Sequence, residues 1–538
     1  MPTHLKNEDF TLHFRIFLLV FIVIFSACTT KIPTTQELES KNHIPQAFRN
    51  HTKTDSPQNA QNPQEAQNPQ SKDSKTPQNN AQTSSKKFKA DSHLKQFSLL
   101  FNDKDLEKLL TIALERNSDV LIMISRIEQA KAQAKINTAS LLPTINTGLN
   151  TNYTDRRTQS QNLAVRPGTN SVNASLSMNW ELDLFGKLNA LRKSSKQAHK
   201  QAQSNLANTQ LTLIGDVATY YFTLLDNAFS IAQNRDLLKN LEEIQSISKQ
   251  KYESGLIDIN TYKSAMINTT TQKNSLESAL YTFEQNKNAL LVLLDMNAQE
   301  LDSYMDFSLP RTIEIAEFDI DALPSEVILQ RPDVESSIYA LYSQLYKETN
   351  ANAARLPSIS LNGSIGELLY SNTTGNSLVF QIANSITTPL FNRTGLKQNY
   401  IIQQELSKEA YYTLQKTINT ALGEMENALF DKSSKKKQVQ NLSLALNLSQ
   451  EAWQIDTQRQ ANGMIDRSEF LTNENTYLSM RSQLHTSQIN EAISMVMLFK
   501  AFGGALWIVD FQTQDSMPKN AQRIQEIESN SLSLETKD

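Results

Sequence analysis

The chain has 538 residues, a net charge of −4 at pH 7 and 39% hydrophobic residues. This balance suits a folded protein and provides no basic surface of the kind that binds nucleic acid. The single cysteine, Cys28, excludes an intramolecular disulfide framework.

Residues 1–27 have the layout of a secretory signal peptide. A modestly basic start leads into an apolar run over 16–25, which is too short for the roughly 20 residues that span a bilayer as a helix. The sequence Phe25-Ser26-Ala27-Cys28 resembles the bacterial lipobox, and this resemblance implies cleavage before Cys28 and a covalent lipid on that residue. Thr29 similarly fits the enteric rule for sorting to the outer membrane. A plain signal peptide or an uncleaved anchor remains the alternative.

Residues 28–98 are predicted to form a disordered tether behind the lipid. From 29 to 98 the chain has six of its 15 prolines and no Gly, Trp or Tyr. Such a segment lacks the apolar surface that would offset the entropy lost on ordering. A Pro-rich binding motif is the alternative. The other end, 511–538, is predicted to be a polar tail.

The sequence between these ends contains an internal repeat. LLPTINTGLNTN at 141–152 has a counterpart in RLPSISLNGSIG at 355–366. An offset of 208 residues separates three pairs: Gly215 and Gly423, Gly255 and Gly463, and Phe222 and Phe430. Self-similarity at a fixed offset predicts two structurally equivalent repeats, 99–325 and 326–510.

Each repeat is expected to hold helices at its start (99–141 and 326–355) and then one β-hairpin. The hairpins fall at about 143–184 and about 357–390, where apolar and polar residues alternate strictly. In VNASLSMNWELDL the apolar side chains from Val172 to Leu184 share one face. Period-two alternation predicts two-faced strands. It does not distinguish membrane strands from a soluble, half-buried sheet.

A long helical hairpin follows each β-hairpin, at about 187–296 and about 396–504. No proline lies between Pro167 and Pro310 or between Pro389 and Pro518. At 1.5 Å per residue, the first helix of each hairpin would run about 100 Å. The high polar content predicts narrow apolar seams of the coiled-coil kind.

Four strands are too few for a membrane barrel, which needs about eight or more. An open sheet edge is prohibitively costly in lipid, because its backbone groups find no water there. A membrane location therefore requires several copies to share one barrel. Three copies would supply twelve strands and leave a lumen, whereas two would supply eight and leave little space. A homotrimer is expected on this geometry.

Three segments carry a family resemblance: LPSEVILQRPDVESSIYAL (323–341), ANAARLPSISLNGSIG (351–366) and LFKAFGGALW (498–507). Over roughly 97–510 the chain resembles the outer-membrane factor family, the TolC/NodT-type lipoprotein exit ducts of efflux pumps. The resemblance implies a mainly α fold with membrane β-strands, in which four strands per protomer complete a trimeric twelve-strand β-barrel. It also implies a long α-helical barrel across the periplasm, a periplasmic adaptor and an inner-membrane pump.

The resemblance places the adaptor-docking tips at Gly255-Leu256 and Gly463-Met464, in YESGLIDINTY and QANGMIDRSEF. Glycine tolerates the positive φ that a sharp helix reversal requires. A simple helix–loop–helix turn is the alternative interpretation.

Four charged residues just beyond these tips are candidates for a periplasmic aperture: Asp258, Asp466, Arg467 and Glu469. In the family, acids after the second tip form a ring that narrows the channel. Carboxylates converging from three copies would repel one another and attract cations. Arg467 would pair with a neighbouring acid as a latch. The alternative is that the acids simply stabilise helix N-termini.

The expected function is a passive exit duct for multidrug or small-molecule efflux, gated at its periplasmic tip. We expect no enzyme activity, metal or cofactor beyond the lipid on Cys28, because the seven histidines are scattered and no phosphate loop or nucleophile motif occurs. The alternatives are an exit duct for protein secretion and a non-conducting structural periplasmic lipoprotein.

Overall fold

The computed structural model describes residues 33–34, 37, 94–154, 169–307, 315, 327–371 and 377–504. The expected signal peptide, Cys28, nearly all of the tether and the polar tail lie outside these residues.

Two helices, α1 (Lys104–Arg116) and α2 (Ser118–Ala139), occupy the first predicted helical segment. Asn117 divides them: its backbone N–H donates to the Ala113 carbonyl, and its side-chain oxygen accepts from the N–H groups of Asp119 and Val120. Asn is among the strongest N-cap residues, since its side chain satisfies otherwise free N–H groups of the next helix.

Four strands form one antiparallel sheet in the order β1 (Thr144–Thr154), β2 (Thr169–Leu182), β3 (Ser358–Ser371) and β4 (Leu378–Thr387). They lie where the sequence alternates with period two. The β2–β3 pairing joins the two hairpins. Within the described residues, β1 and β4 are the outer strands, and each pairs on one side only.

Near the middle of the sheet, cross-strand register aligns one apolar row and one polar row on opposite faces. Leu176 pairs with Thr147 on one side and Ile365 on the other, and Ile365 pairs with Phe380. The neighbouring row is polar: Asn146, Ser177, Ser364 and Gln381. Phe380 is 69% exposed. Leu176 and Ile365 in the same row are 47% and 39% exposed, so this part of the apolar face is open to solvent among the described residues.

The longest helices are α3 (Lys187–Glu253) with 67 residues and α7 (Arg393–Ala461) with 69. Each turns back through a shorter partner, α4 (Ile259–Leu294) after α3 and α8 (Arg467–Ala501) after α7. Two further helices lie between α4 and α7: α5 (Ala298–Tyr304), with 7 residues, and α6 (Pro332–Ala353), with 22. At 1.5 Å per residue, α3 and α7 are each about 100 Å long. The alternating stretch LSLALNLS at 442–449 lies within α7.

The element order helix, β-hairpin, long helix, short return helix occurs twice, beginning with α2 and with α6. Helix α6 packs on α3 and α7, and α8 packs on both α3 and α7. Among the described residues, no helix is both long and apolar enough to cross a membrane.

The main hydrophobic core lies where α1, α3, α6, α7 and α8 meet, with smaller contributions from α2 and α4. Phe97 packs edge-on against Phe499 with ring centroids 5.2 Å apart, and both side chains are almost fully buried. The hydroxyl of buried Tyr221 bonds to the Asp103 carboxylate, which also caps α1. This core holds the middle parts of α3 and α7. A second, smaller cluster near the tips packs Ile465, Phe470 and Leu471 against Ile244 of α3 and Trp453 of α7.

Candidate functional site: the tips of the long helices

The first tip is a tight turn between α3 and α4. Helix α3 ends at Glu253, and Gly255 adopts φ +69°. The Gly255 N–H donates to the Tyr252 carbonyl (2.9 Å), and the Leu256 N–H donates to the Lys251 carbonyl (2.8 Å). This pair of bonds is a Schellman motif, which satisfies the last carbonyls of a helix and favours glycine at the left-handed position.

The second tip repeats this geometry between α7 and α8. Gly463 also has φ +69°. Its N–H donates to the Gln460 carbonyl (3.0 Å), and the Met464 N–H donates to the Arg459 carbonyl (2.8 Å). Leu256 and Met464 are 74% and 70% exposed. Both tips therefore present one large apolar side chain to solvent at the same place in the turn.

Asp258 and Asp466 are the N-caps of the returning helices. Asp258 Oδ1 accepts from the N–H groups of Asn260 (2.7 Å) and Thr261 (3.1 Å), and its Oδ2 accepts from the Thr261 hydroxyl (2.8 Å). The Thr261 hydroxyl and these N–H groups lower the pKa of Asp258. The equivalent Asp466 accepts from the Glu469 N–H at 2.8 Å. The two carboxylates therefore cap the N-termini of α4 and α8.

Two ion pairs tie the start of α8 to α3. Lys251 Nζ lies 2.7 Å from Asp466 Oδ2. Arg467 binds Glu243 with two parallel hydrogen bonds, Nε to Oε1 at 2.7 Å and Nη2 to Oε2 at 3.0 Å. The Lys251 hydrogen bond lowers the pKa of Asp466, and the Arg467 hydrogen bond lowers the pKa of Glu243. A bidentate guanidinium–carboxylate pair fixes direction as well as distance.

The four aperture candidates therefore fall into different settings. Asp466 and Arg467 are joined to α3, and Asp258 caps α4 in the first hairpin. Glu469 is exposed in the first turn of α8. The partners Glu243 and Lys251 were not singled out from the sequence. They lie on α3 before the tip turn, and no local pattern links them to α8.

Within the part of the chain that the structure describes, no group of three His, Cys, Asp or Glu residues is arranged to hold a metal ion. The tips consist of two turns of the same geometry, each with one exposed apolar residue. The ion pairs Lys251–Asp466 and Arg467–Glu243 join α3 to α8 beside them. Such an arrangement can hold or release helix ends.

Comparisons with known proteins agree with this architecture. The "Probable efflux pump outer membrane protein TtgC" of Pseudomonas putida is 25% identical over 419 residues, covering 75% of this chain and 84% of the relative. The "Solvent efflux pump outer membrane protein SrpC" of Pseudomonas putida is 27% identical over 424 residues, covering 76% and 87%. The Campylobacter jejuni CmeC outer membrane channel superposes with a TM-score of 0.67 at 24% identity, covering 79% of this chain and 89% of that one.

The family match covers the helical hairpins and both predicted repeats. Residues 109–295 and 323–504, more than half of the chain, match the family described as "Outer membrane efflux protein". That family consists of outer-membrane efflux channels rather than enzymes. The chain belongs to the outer membrane efflux protein family.

Proposed function

We propose that this protein is the lipid-anchored, homotrimeric exit duct of a tripartite efflux pump. The observation that carries the proposal is the uncovered four-stranded sheet. One of its faces is apolar and exposed, both edge strands lack a second partner among the described residues, and helices of about 100 Å continue from it. In water its apolar face would be exposed, and in lipid the backbone groups of its two edge strands would lack hydrogen-bond partners.

Copies of the chain complete the sheet. In a four-stranded antiparallel order, the outer strands β1 and β4 run in opposite directions. Strand β4 of one copy is thus oriented to pair antiparallel with β1 of the next, and three copies close a twelve-stranded barrel without an open edge. The Leu176 and Phe380 face meets lipid, and the Ser177 and Ser364 face lines a polar lumen.

The long helices carry the lumen away from the membrane into the periplasm. Their tips meet the periplasmic adaptor, which connects the duct to an inner-membrane pump. Leu256 and Met464 support this docking role, because each is exposed in a rigid turn. Exposed apolar residues in a fixed geometry are suited to a protein partner.

Gating lies at the same end of the molecule. The Arg467–Glu243 and Lys251–Asp466 pairs join the start of α8 to α3. These contacts support a closed tip held by ion pairs. Exposed Glu469, repeated in three copies, adds mutual repulsion that favours opening. Adaptor binding shifts the balance by displacing the ion pairs, so the duct itself needs no energy source.

The cargo is proposed to be small molecules. Relatives carry names that mention solvent, toluene and antibiotic efflux. Cys28 anchors the chain to the outer membrane through its lipid, and the tether at 28–98 links that anchor to the folded part. A duct for secreted proteins would share the barrel and the helices and differ in what the pump delivers.

Purified full-length protein in planar lipid bilayers tests the proposal. We expect a particle three times the protomer mass, with low conductance that rises when Arg467 and Asp466 are replaced by alanine. A monomer in detergent, or a trimer that inserts and never conducts in either form, would favour the structural lipoprotein instead. Mass spectrometry of the N-terminus, with Cys28→Ala as the matched control, tests the lipid separately.

A further inference from the structure

One end of α3 carries a local excess of positive charge. The chain as a whole has a net charge of −4, yet residues 184–215, which span the β2–α3 connection and the first part of α3, contain five Lys or Arg residues and no Asp or Glu. These are Lys187 and, about one to four turns further on, a basic stripe of Arg192, Lys193, Lys196 and Lys200. A local run of cations of this kind points to an anionic partner.

The basic stripe faces away from the polar side of the sheet. Lys187 pairs with Glu181, and Glu181 lies opposite Ser360 in the polar rows of β2 and β3. Lys187 therefore marks the polar side of α3. Because a helix turns about 100° per residue, the four stripe residues lie within about 60° of the direction opposite Lys187. They are on the side of α3 that continues from the apolar face of the sheet, and Lys196 and Lys200 are exposed there.

Aromatic rings of α6 hold two of the stripe's lysines against the bundle. Lys193 Nζ lies 5.7 Å from the centroid of the Tyr346 ring, and Lys200 Nζ lies 5.4 Å from that of Tyr339. A cation over an aromatic face keeps its full charge, because the ring is neutral. Lys196 lies between these two lysines, is exposed, and makes no ion pair with any residue that the structure describes. These contacts position the lysines and leave their charge in place.

Three acids at this end of the molecule are engaged in other contacts. Asp183 accepts from two backbone N–H groups at the start of α3, at 3.0 and 2.7 Å. Glu335 of α6 accepts from two hydroxyl groups, and Glu348 of α6 is buried. Most of the positive charge of the stripe is therefore available to a partner from outside the chain.

The stripe lies close to the end of the sheet from which the helices continue. At 1.5 Å per residue, it begins about 8 Å and ends about 20 Å beyond the start of α3. Helical side chains lean toward the N-terminus, which for α3 is the direction of the sheet. Trp180 lies two residues before the end of β2 on the apolar face, opposite Leu361. Tryptophan is enriched where hydrocarbon meets headgroups, so the headgroup layer is expected between Trp180 and the stripe.

Apolar side chains are exposed in the connections between the sheet and the helices. Leu142, between α2 and β1, is 65% exposed, and Leu184, between β2 and α3, is 37% exposed. An apolar rim beside a row of cations suits contact with an anionic membrane surface, because the apolar groups enter the acyl boundary while the cations meet phosphates. A soluble anionic partner, such as a cell-wall polymer, would match the cations and would not need the apolar rim.

We infer that the basic stripe of α3 binds the anionic phospholipid headgroups of the leaflet from which the helices emerge. The inference rests on the proposed membrane location of the sheet and adds the class of lipid at its border. Acyl chains satisfy the apolar face whatever headgroup they carry, so the sheet alone does not distinguish lipids. The stripe does, because it attracts anionic headgroups over zwitterionic ones, and its attraction decays over a Debye length of about 8–10 Å. Arg192 and Lys193 therefore contribute more than Lys200.

Spin-labelled lipids measure this preference directly. The full-length protein is reconstituted in phosphatidylcholine vesicles that contain a trace of acyl-chain-labelled phosphatidylglycerol or phosphatidylcholine, and electron spin resonance gives the fraction of each label immobilised at the protein. We expect a preference for phosphatidylglycerol that weakens as salt rises from about 0.05 M to about 0.5 M. Each cation near an anionic surface strengthens binding by up to about fivefold, so Lys193→Gln with Lys196→Gln should remove most of the preference.

Three further variants serve as controls. Lys193→Arg with Lys196→Arg keeps both charges and should keep the preference. Lys239→Gln with Lys249→Gln removes two charges from the same helix, at least about 65 Å nearer the tip, and should leave the preference unchanged. Lys200→Gln should reduce the preference less than Lys193→Gln does, because Lys200 lies farther from the headgroups. Melting temperatures verify that each variant is folded.

The outcomes separate this inference from the proposed duct. If the parent protein immobilises both labels equally, or if the preference survives Lys193→Gln with Lys196→Gln, the inference is overturned and the membrane sheet stands. If neither label is immobilised, the sheet does not meet lipid and both are overturned. Purified cell-wall sacculi test the other anionic partner: sacculus binding that requires Lys193 and Lys196, without a lipid preference, would assign the stripe to the cell wall instead.

Discussion

Arg331 donates a hydrogen bond from Nη1 to the carbonyl of Ala501 at 2.7 Å. The residue that precedes α6 therefore satisfies a free carbonyl at the C-terminus of α8. The same side chain is 7% exposed. It binds Asp333 through Nε and Nη2, and Glu424 of α7 through Nη2. Burial alone would lower the pKa of Arg331, but the ion pairs with Asp333 and Glu424 raise it above its usual value. The Arg-Pro-Asp motif thus joins the start of α6 and the end of α8 to the middle of α7, beside the main core.

Replacing Arg331 by lysine should destabilise the protein, because an ammonium cannot make this fork of bonds and the Ala501 carbonyl is left without its donor. We expect a loss of about 1–3 kcal/mol in the free energy of unfolding, the typical penalty for a buried unsatisfied group. Thermal unfolding in detergent measures it. Arg116→Lys, at an ion pair whose arginine side chain is 43% exposed, is the matched control and should change little.

Gly503→Ala tests the close approach at the same junction. Gly503 has φ +72°, and a Cβ there would lie 3.1 Å from both Cα and Cγ of Arg331. Gly186 has the same φ of +72°, but a Cβ added to it would meet nothing within 4 Å. Gly186→Ala should lose only the left-handed backbone preference, about 1–2 kcal/mol. Gly503→Ala should lose measurably more, and equal melting temperatures for the two variants would show that the crowding is relieved at no cost.

The sequence predicted the strands and the tip glycines because both depend on local patterns. Alternation places Leu176 and Ser177 on opposite faces whatever their partners are, and a helix reversal at Gly463 needs only its own backbone geometry. The sequence did not predict that Glu243 and Lys251 would contact the start of α8. Each pair joins residues more than 200 positions apart, and its formation depends on how the helices are rotated about their axes. The break at Asn117 was also missed, since a capping side chain in a helical stretch does not by itself reveal where a helix stops.

Removing the Arg467–Glu243 pair should make the tip open more readily. Each partly exposed pair contributes about 0.5 kcal/mol, so three copies together would shift the ratio of open to closed channels roughly tenfold. We expect Arg467→Ala and Glu243→Ala to raise open probability by similar factors in planar bilayers. The double variant should add little to either, because both changes remove one interaction. Lys249→Ala, which affects only the Lys249–Glu253 contact within α3, is the control; fully additive effects of Arg467→Ala and Glu243→Ala would mean that the two residues act separately.

Acid should weaken the two ion pairs that hold the tip, because the pKa values of Glu243 and Asp466 are lowered by their partners. Replacing Glu469 by glutamine isolates this effect, since it removes the acid-sensitive repulsion between copies. A carboxyl group whose pKa is lower in the folded state stabilises that state at pH values above its unfolded pKa, and this contribution is lost as the pH falls through the lowered, folded-state pKa. The pairs should therefore hold at pH 5 and above and weaken below about pH 4. Conductance measured against pH checks this, with Glu243→Gln losing part of the acid-induced step. A main transition between pH 5 and pH 7 would point to groups other than these carboxyls.

The orientation of the sheet can be tested with two adjacent residues. Leu176 lies on the apolar face opposite Ile365, and Ser177 lies on the polar face opposite Ser364. If the apolar face meets lipid, Leu176→Arg places a charge in the hydrocarbon region, which costs about 2–4 kcal/mol near the bilayer midplane. Ser177→Arg places the same charge in a water-filled lumen. We expect the Leu176 variant to be depleted from the outer-membrane fraction and the Ser177 variant to assemble normally with altered ion selectivity. If instead the Ser177 variant were depleted and the Leu176 variant assembled normally, the apolar face would be turned inward against protein. An arginine is strongly disfavoured only on the face that meets lipid.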